Sequence, residues 1–124
     1  AQEDVFNGDD LPDLLTNDRT GLVIAANCLN GYFADPKWAG LGESMVTLPH
    51  AGAVAFVGST GFTLPINQGS LLTDLGRYLQ QDGVDLGTAL TLAKVNLFLK
   101  GGPLWEDELS SWTLLGDPAT VLRH

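Results

Sequence analysis

Cys28 is the single cysteine of the sequence, and it stands directly after the apolar run Leu22-Val23-Ile24-Ala25-Ala26. A short continuous apolar run with β-branched residues fits a strand covered on both faces. The thiol then sits at the carboxyl end of that strand, followed by Asn30-Gly31. A thiol so placed can act as a nucleophile once a neighbouring base or cation turns it into a thiolate at neutral pH. The same residue read alone is equally a small buried apolar side chain. The available bases are His50 and His124, the only histidines. His50, in LPHAG, precedes a second apolar run, Ala53-Val54-Ala55-Phe56-Val57, and so takes the amino end of that strand. If the two strands are parallel neighbours, His50 and Cys28 lie at opposite edges of the sheet. About five residues at ~3.3 Å each then separate them, too far for a hydrogen bond. His124 is the last residue given, where chains fray. The sequence supplies no general base for Cys28.

Other chemistries find less support. Ser44, Ser59 and Ser70 lack a Gly-x-Ser-x-Gly context, which argues against a serine hydrolase. One cysteine excludes an internal disulfide and any zinc site built on paired cysteines. GLGESM at 40–45 has no Gly-Lys-Ser/Thr, so it is not a phosphate-binding loop and no cofactor is expected. Glu3, Asp4, Asp9, Asp10, Asp13 and Asp18 crowd the start of the chain without the spacing of a calcium loop. They read as a solvated acidic surface, and no metal is expected. Asp117, in Gly-Asp-Pro, reads as a turn, and Trp38, Trp105 and Trp112 as packing or rim residues.

The elements that position Cys28 follow from periodicity. Leu11, Leu14 and Leu15 suit one helical turn, and residues 41–48 a short helix stopped at Pro49. The second strand, 53–57, leads into the loop STGFTLPIN. Leu71, Leu72, Leu75, Tyr78 and Leu79 recur at helical spacing and end near Gly83. Asp85 is a natural N-cap for a further helix with Leu86, Ala89, Leu90, Ala93 and Leu97 on its apolar face, stopped by Gly101-Gly102-Pro103. Short strands are expected at 112–115 and 120–122, split by Gly116-Asp117-Pro118. The order is that of an α/β protein with a mostly parallel sheet and flanking helices. Both long loops follow carboxyl ends of strands, where open α/β sheets place their sites.

The composition bounds the class. The 124 residues are 44% apolar and 17% charged, enough for one small domain with a real core. A net charge of −9 with six Lys or Arg leaves no basic stripe for nucleic acid and no polybasic membrane patch. No apolar run approaches the ~20 residues of a membrane span. The first residues, AQEDVFNGDD, are acidic where a signal peptide is basic, so none is expected within the chain.

Three ordered segments resemble the gingipain-type cysteine peptidases, the C25 family of the caspase-like clan. VIAANCLNGYF (23–33) resembles the segment in which the catalytic cysteine ends a parallel strand and is followed by Asn-Gly and an aromatic residue. AGAVAFVGST (51–60) resembles the next strand, and WTLLGDPATVLR (112–123) the Trp-x-x-x-Gly-Asp-Pro segment that closes the domain. The resemblance implies a three-layer caspase-like fold of which this chain, 1–124, forms the C-terminal portion. It implies Cys28 as nucleophile and backbone oxyanion donor, with Ser59 and Thr60 beginning the loop on the S1 side. It also implies a peptide or protein substrate and a secreted or cell-surface bacterial setting. The family's upstream catalytic histidine, usually in a His-Gly, has no counterpart here. The partner expected is therefore the upstream half of the same domain, or a second copy of this chain, pairing with the open edge of the strand that carries Cys28. A degenerate caspase-like module kept for binding is the alternative. The related family often called CHAT also has a post-strand cysteine and a terminal Gly-Asp-Pro, but the Asn-Gly-Tyr-Phe after Cys28 favours the gingipain type.

Overall fold

The computed structural model describes residues 10–11, 21–49 and 51–123. Most of the expected 11–15 helical turn, together with His50 and His124, lies outside the described residues. Strand β1 (Gly21–Ala25) pairs in parallel with β2 (Ala53–Ser59), and β2 pairs antiparallel with β3 (Trp112–Gly116), in the order β1-β2-β3. Helix α1 (Leu41–Thr47) lies between β1 and β2 in sequence; α2 (Pro65–Leu79), α3 (Leu86–Gly101), a 3-10 turn (Gly102–Trp105) and α4 (Glu106–Ser111) lie between β2 and β3. This is the α/β fold with flanking helices that the pattern implies, its sheet holding one parallel and one antiparallel pairing.

β2 is central because both of its faces are apolar. Ala55 and Val57 pack with Leu71, Leu75, Ala89, Ala93, Leu97 and Trp112 under α2 and α3. Phe56 turns the other way and packs with Met45 of α1, Leu11 and Ala53. The expected apolar face of α3 is buried throughout. Asp85 caps that helix by accepting from Thr88 N at 2.7 Å, which satisfies one of the free donors of the first turn. Asp74, buried on α2, receives Lys100 Nζ at 2.5 Å and Arg77 at 3.3 Å, which ties α2 to α3. That pairing explains how a carboxylate can sit inside.

Three expectations change. α2 starts at Pro65, inside the segment expected to be loop, because proline suits the first helical turn. α4 is an extra helix of six residues that the apolar pattern did not suggest, since its sequence EDELSS has little apolar periodicity. The expected strand at 120–122 is reduced to a single bridge between Val121 and Asp85. Here Leu86 N and Gly87 N donate to Thr120 O and Pro118 O, so the segment packs on the start of α3 instead of joining the sheet.

β1 is less buried than its apolar run suggests. Its residues are half-buried or exposed, Ile24 at 39%. The reason is topological: among the described residues β1 has a strand partner on one edge only.

Candidate active site

Cys28 lies just past the carboxyl end of β1, half-buried. The chain turns back immediately after it, and Leu29 takes φ +65°. A branched side chain adopts this left-handed region at a cost of roughly 1–2 kcal/mol. The turn closes with Tyr32 N donating to Leu29 O at 3.0 Å. Leu29 N donates to Gly61 O at 3.3 Å and Gly31 N to Ser59 O at 2.9 Å, which pins the turn to the end of β2. Gly31 is required by closeness: a Cβ there would stand 2.7 Å from Gly58 O and 2.9 Å from Gly58 C. Only glycine lets two backbones approach in this way.

The thiol meets the loop after β2 and the first turns of α2. Thr63 N donates to Cys28 Sγ at 3.4 Å, Thr63 O lies 3.5 Å from Sγ, and Gln68 Nε2 stands 4.0 Å away. Gln68 also donates to Thr63 Oγ1 at 2.5 Å. The thiol thus accepts from the Thr63 backbone N–H and donates to the Thr63 carbonyl, so the loop after β2 holds it from both sides. Thr63 and Gln68 were not singled out from sequence. Their signal was positional: the loop after β2 must face the end of β1, because the two strands are parallel neighbours.

The loop itself is held by residues 108–111, 44 to 52 residues on in sequence. Glu108, buried at 2% exposure, accepts from Leu64 N at 3.0 Å. Thr60 N and Thr60 Oγ1 both donate to Ser111 O at 2.9 Å. Ser59 is fully buried; its Oγ donates to Ser111 Oγ at 3.1 Å and accepts from Gly61 N at 3.2 Å. Ser59 is thus an internal strut, and Thr60 is the half-buried residue where the loop leaves β2. Phe62, Thr63, Leu64, Asn67, Asp107 and Glu108 line a cleft of about 300 Å³ beside Cys28. Asp107 is exposed and gives it an acidic side, while the Glu108 carboxylate is buried behind Leu64 N. Among the described residues no group of His, Cys, Asp and Glu is arranged to hold a metal.

The mixed α/β fold, with the Cys28 thiol just past the carboxyl end of a parallel strand, matches caspase-like domains in fold. The family model for Peptidase family C25 matches residues 1–123, and the chain belongs to that family of cysteine peptidase-type domains. Two solved structures are similar in fold. The complex of Porphyromonas gingivalis RgpB pro- and mature domains superposes with a TM-score of 0.85 at 18% identity, covering 95% of this chain and 30% of that one. The Arg specific cysteine proteinase gingipain R (RGPB) superposes at 0.77 with 20% identity, covering 95% and 29%. The chain therefore spans about three tenths of the length of these solved chains. No curated protein matches the sequence. Among the described residues no helix is long and apolar enough to cross a membrane.

Proposed function

We propose that residues 1–124 are the C-terminal, nucleophile-bearing portion of a caspase-like peptidase domain, completed by an upstream half that supplies the catalytic histidine. Cys28 attacks the scissile carbonyl, and the imidazole takes the thiol proton. The negative oxygen of the tetrahedral adduct accepts from the Cys28 backbone N–H. The C–N bond then breaks, the amine leaves with the proton returned by the imidazole, and a thioester remains. Water, deprotonated by the same imidazole, hydrolyses the thioester and regenerates the thiol.

The observation that carries this reading is Cys28 at the carboxyl end of β1, with Thr63 N and Gln68 Nε2 directed at its sulfur. The loop that opens at Ser59 and Thr60 forms the S1 side, Ser59 as its buried support. The cleft of Thr63, Asp107 and Glu108 takes the P1 side chain, and the exposed carboxylate of Asp107 suits a basic one. The Arg-specific description of a fold neighbour is in keeping with that choice. The upstream half pairs with the open edge of β1, which is the edge left without a strand among the described residues. The resemblance to a bacterial peptidase supports a secreted or cell-surface setting.

Complementation tests the reading. This chain alone should show negligible turnover of a peptide library. Addition of the upstream half in trans should bring turnover that disappears in Cys28→Ala. Turnover by this chain alone that Cys28→Ala abolishes refutes the need for a second half. A folded stoichiometric complex that cleaves after no residue makes the chain a binding module instead.

A further inference from the structure

A second cleft opens on the other side of the loop that follows β2. It has a volume of about 400 Å³ and is lined by Tyr32, Phe33, Thr60, Lys94, Ser110 and Trp112 among its walls. Its place relative to Cys28 follows from the topology. Thr60 is the residue after the carboxyl end of β2, and Trp112, which opens the antiparallel strand β3, pairs with Ser59. Tyr32 and Phe33 end the turn that Cys28 begins. The cleft is therefore at the same edge of the sheet as the thiol, beyond β2.

Its chemistry is set by Lys94. Of the lysines and arginines among the described residues, Lys94 alone is half-buried; the others are exposed. Arg77 and Lys100 both pair with Asp74, whereas Lys94 has no carboxylate within ion-pair distance among the described residues. Its Nζ donates to Trp112 O at 2.6 Å, which uses one of three N–H donors. Burial holds its ammonium below the ordinary lysine value. The hydroxyls beside it do not supply the missing charge: Thr60 Oγ1 donates to Ser111 O at 2.9 Å and Ser110 Oγ to Glu106 O at 2.7 Å. A partly desolvated cation with donors to spare and no anion is costly unless a ligand brings one. In a chain with 15 acidic residues and a net charge of −9, a half-buried cation with no carboxylate beside it among the described residues stands against the general trend.

We propose that this cleft is a carboxylate-binding subsite, in which Lys94 Nζ pairs with an acidic side chain or a free C-terminal carboxylate of a peptide lying along the sheet edge. The proposal rests on the peptidase reading of Cys28. It gives the site two charge preferences, acidic walls by Thr63 and a cation by Thr60, separated by the loop 60–64. A carboxylate at Lys94 would replace water around the ammonium with a direct ion pair, stronger in this half-buried place than at the surface.

The test uses the complete protein carrying Cys28→Ala, so that nothing is cleaved, with 13C-labelled lysine. Three probes are titrated: N-acetyl-Ala-Ala-Glu-amide, N-acetyl-Ala-Ala-Ala with a free carboxylate, and neutral N-acetyl-Ala-Ala-Gln-amide. The Lys94 Cε resonance should shift saturably, with an apparent Kd about tenfold lower for at least one acidic probe than for the neutral one, a ratio worth about 1.4 kcal/mol. The first acidic probe reports a side-chain carboxylate and the second a chain terminus. The preference, followed at the Thr60 and Trp112 amides, should vanish in Lys94→Met and persist in Lys94→Arg. Equal Kd values for acidic and neutral probes, no saturable shift with any of them, or a preference that survives Lys94→Met each overturn the proposal. Cys28-dependent turnover by the unmutated protein is measured separately. If turnover is present while the carboxylate preference is absent, the subsite alone has failed.

Discussion

Replacing Gly31 by alanine tests whether the turn after Cys28 is positioned by contact with β2. The added Cβ would stand 2.7 Å from Gly58 O, 2.9 Å from Gly58 C and 3.3 Å from Ser59 C. All three are backbone atoms of the central strand, so no side chain can swing aside to relieve the clash. Forced overpacking of this kind costs about 1–3 kcal/mol. The movement that relieves it also stretches the bond from Gly31 N to Ser59 O, now 2.9 Å. Weakening that bond adds about 1 kcal/mol. The expected loss is about 2–4 kcal/mol by these two contributions. Cys28 is three residues earlier on the same turn, so Thr63 N should lose its line to the sulfur as well. Gly69→Ala is the control. Gly69 is exposed in the middle of α2 with nothing within 4 Å of an added Cβ. Alanine there should stabilise by about 0.5–1 kcal/mol. Urea unfolding measures both variants, and the pH dependence of Cys28 alkylation by iodoacetamide reports on the thiol. A Gly31→Ala protein as stable as the parent, with unchanged alkylation, refutes the idea that this close approach sets the cysteine's position.

Two further outcomes follow from the supports of the site. Glu108→Ala removes a buried side chain together with the acceptor of the part-buried Leu64 N–H, and should cost about 1–3 kcal/mol. Glu108→Gln keeps an acceptor for Leu64 N and should cost less; equal losses in urea unfolding would show that the bond does not hold the loop. Asp85 is held below its ordinary carboxyl value, first by the bond from Thr88 N and then by that from the Thr88 hydroxyl. A carboxyl depressed on folding stabilises above its unfolded pKa, and that contribution fades as the pH falls through the folded one. Asp85→Asn should thus lie further below the parent in Tm at neutral pH than in acid, and a gap constant across that range would count against the cap's charge.

Much of the fold was legible because it rests on local patterns. The apolar runs of β1 and β2, the Asp85 cap and the buried stripe of α3 from Leu86 to Leu97 are periodicities of a few residues, and all three appear in the structure. Cys28 at a strand's carboxyl end was legible for the same reason. The surroundings of the thiol were not. Thr63 and Gln68 meet Cys28 across 35 and 40 residues, and Glu108 meets Leu64 across 44. Such contacts are set by how the strands associate, which no short window contains. The strand expected at 120–122 shows the converse. Its β-branched residues fit a strand, but the backbone donors at the start of α3 take up Thr120 O and the neighbouring Pro118 O.

The fastening of the loop 60–64 to Glu108 and Ser111 also bears on when the surroundings of Cys28 can form. A polypeptide leaves the ribosome amino end first, so Cys28 emerges long before its surroundings are fixed. The α2–α3 pair can form early, since it joins neighbours in sequence. The bonds from Ser59 and Thr60 to Ser111 reach across 52 and 51 residues, and β3 must arrive before β2 is paired on both edges. Until residues 108–116 have been synthesised, the loop facing the thiol lacks its bonds to Glu108 and Ser111. Synthesis of residues 108–116 therefore works as a timer, and a chain truncated before Glu108 would carry the cysteine without the bonds that fix the loop beside it.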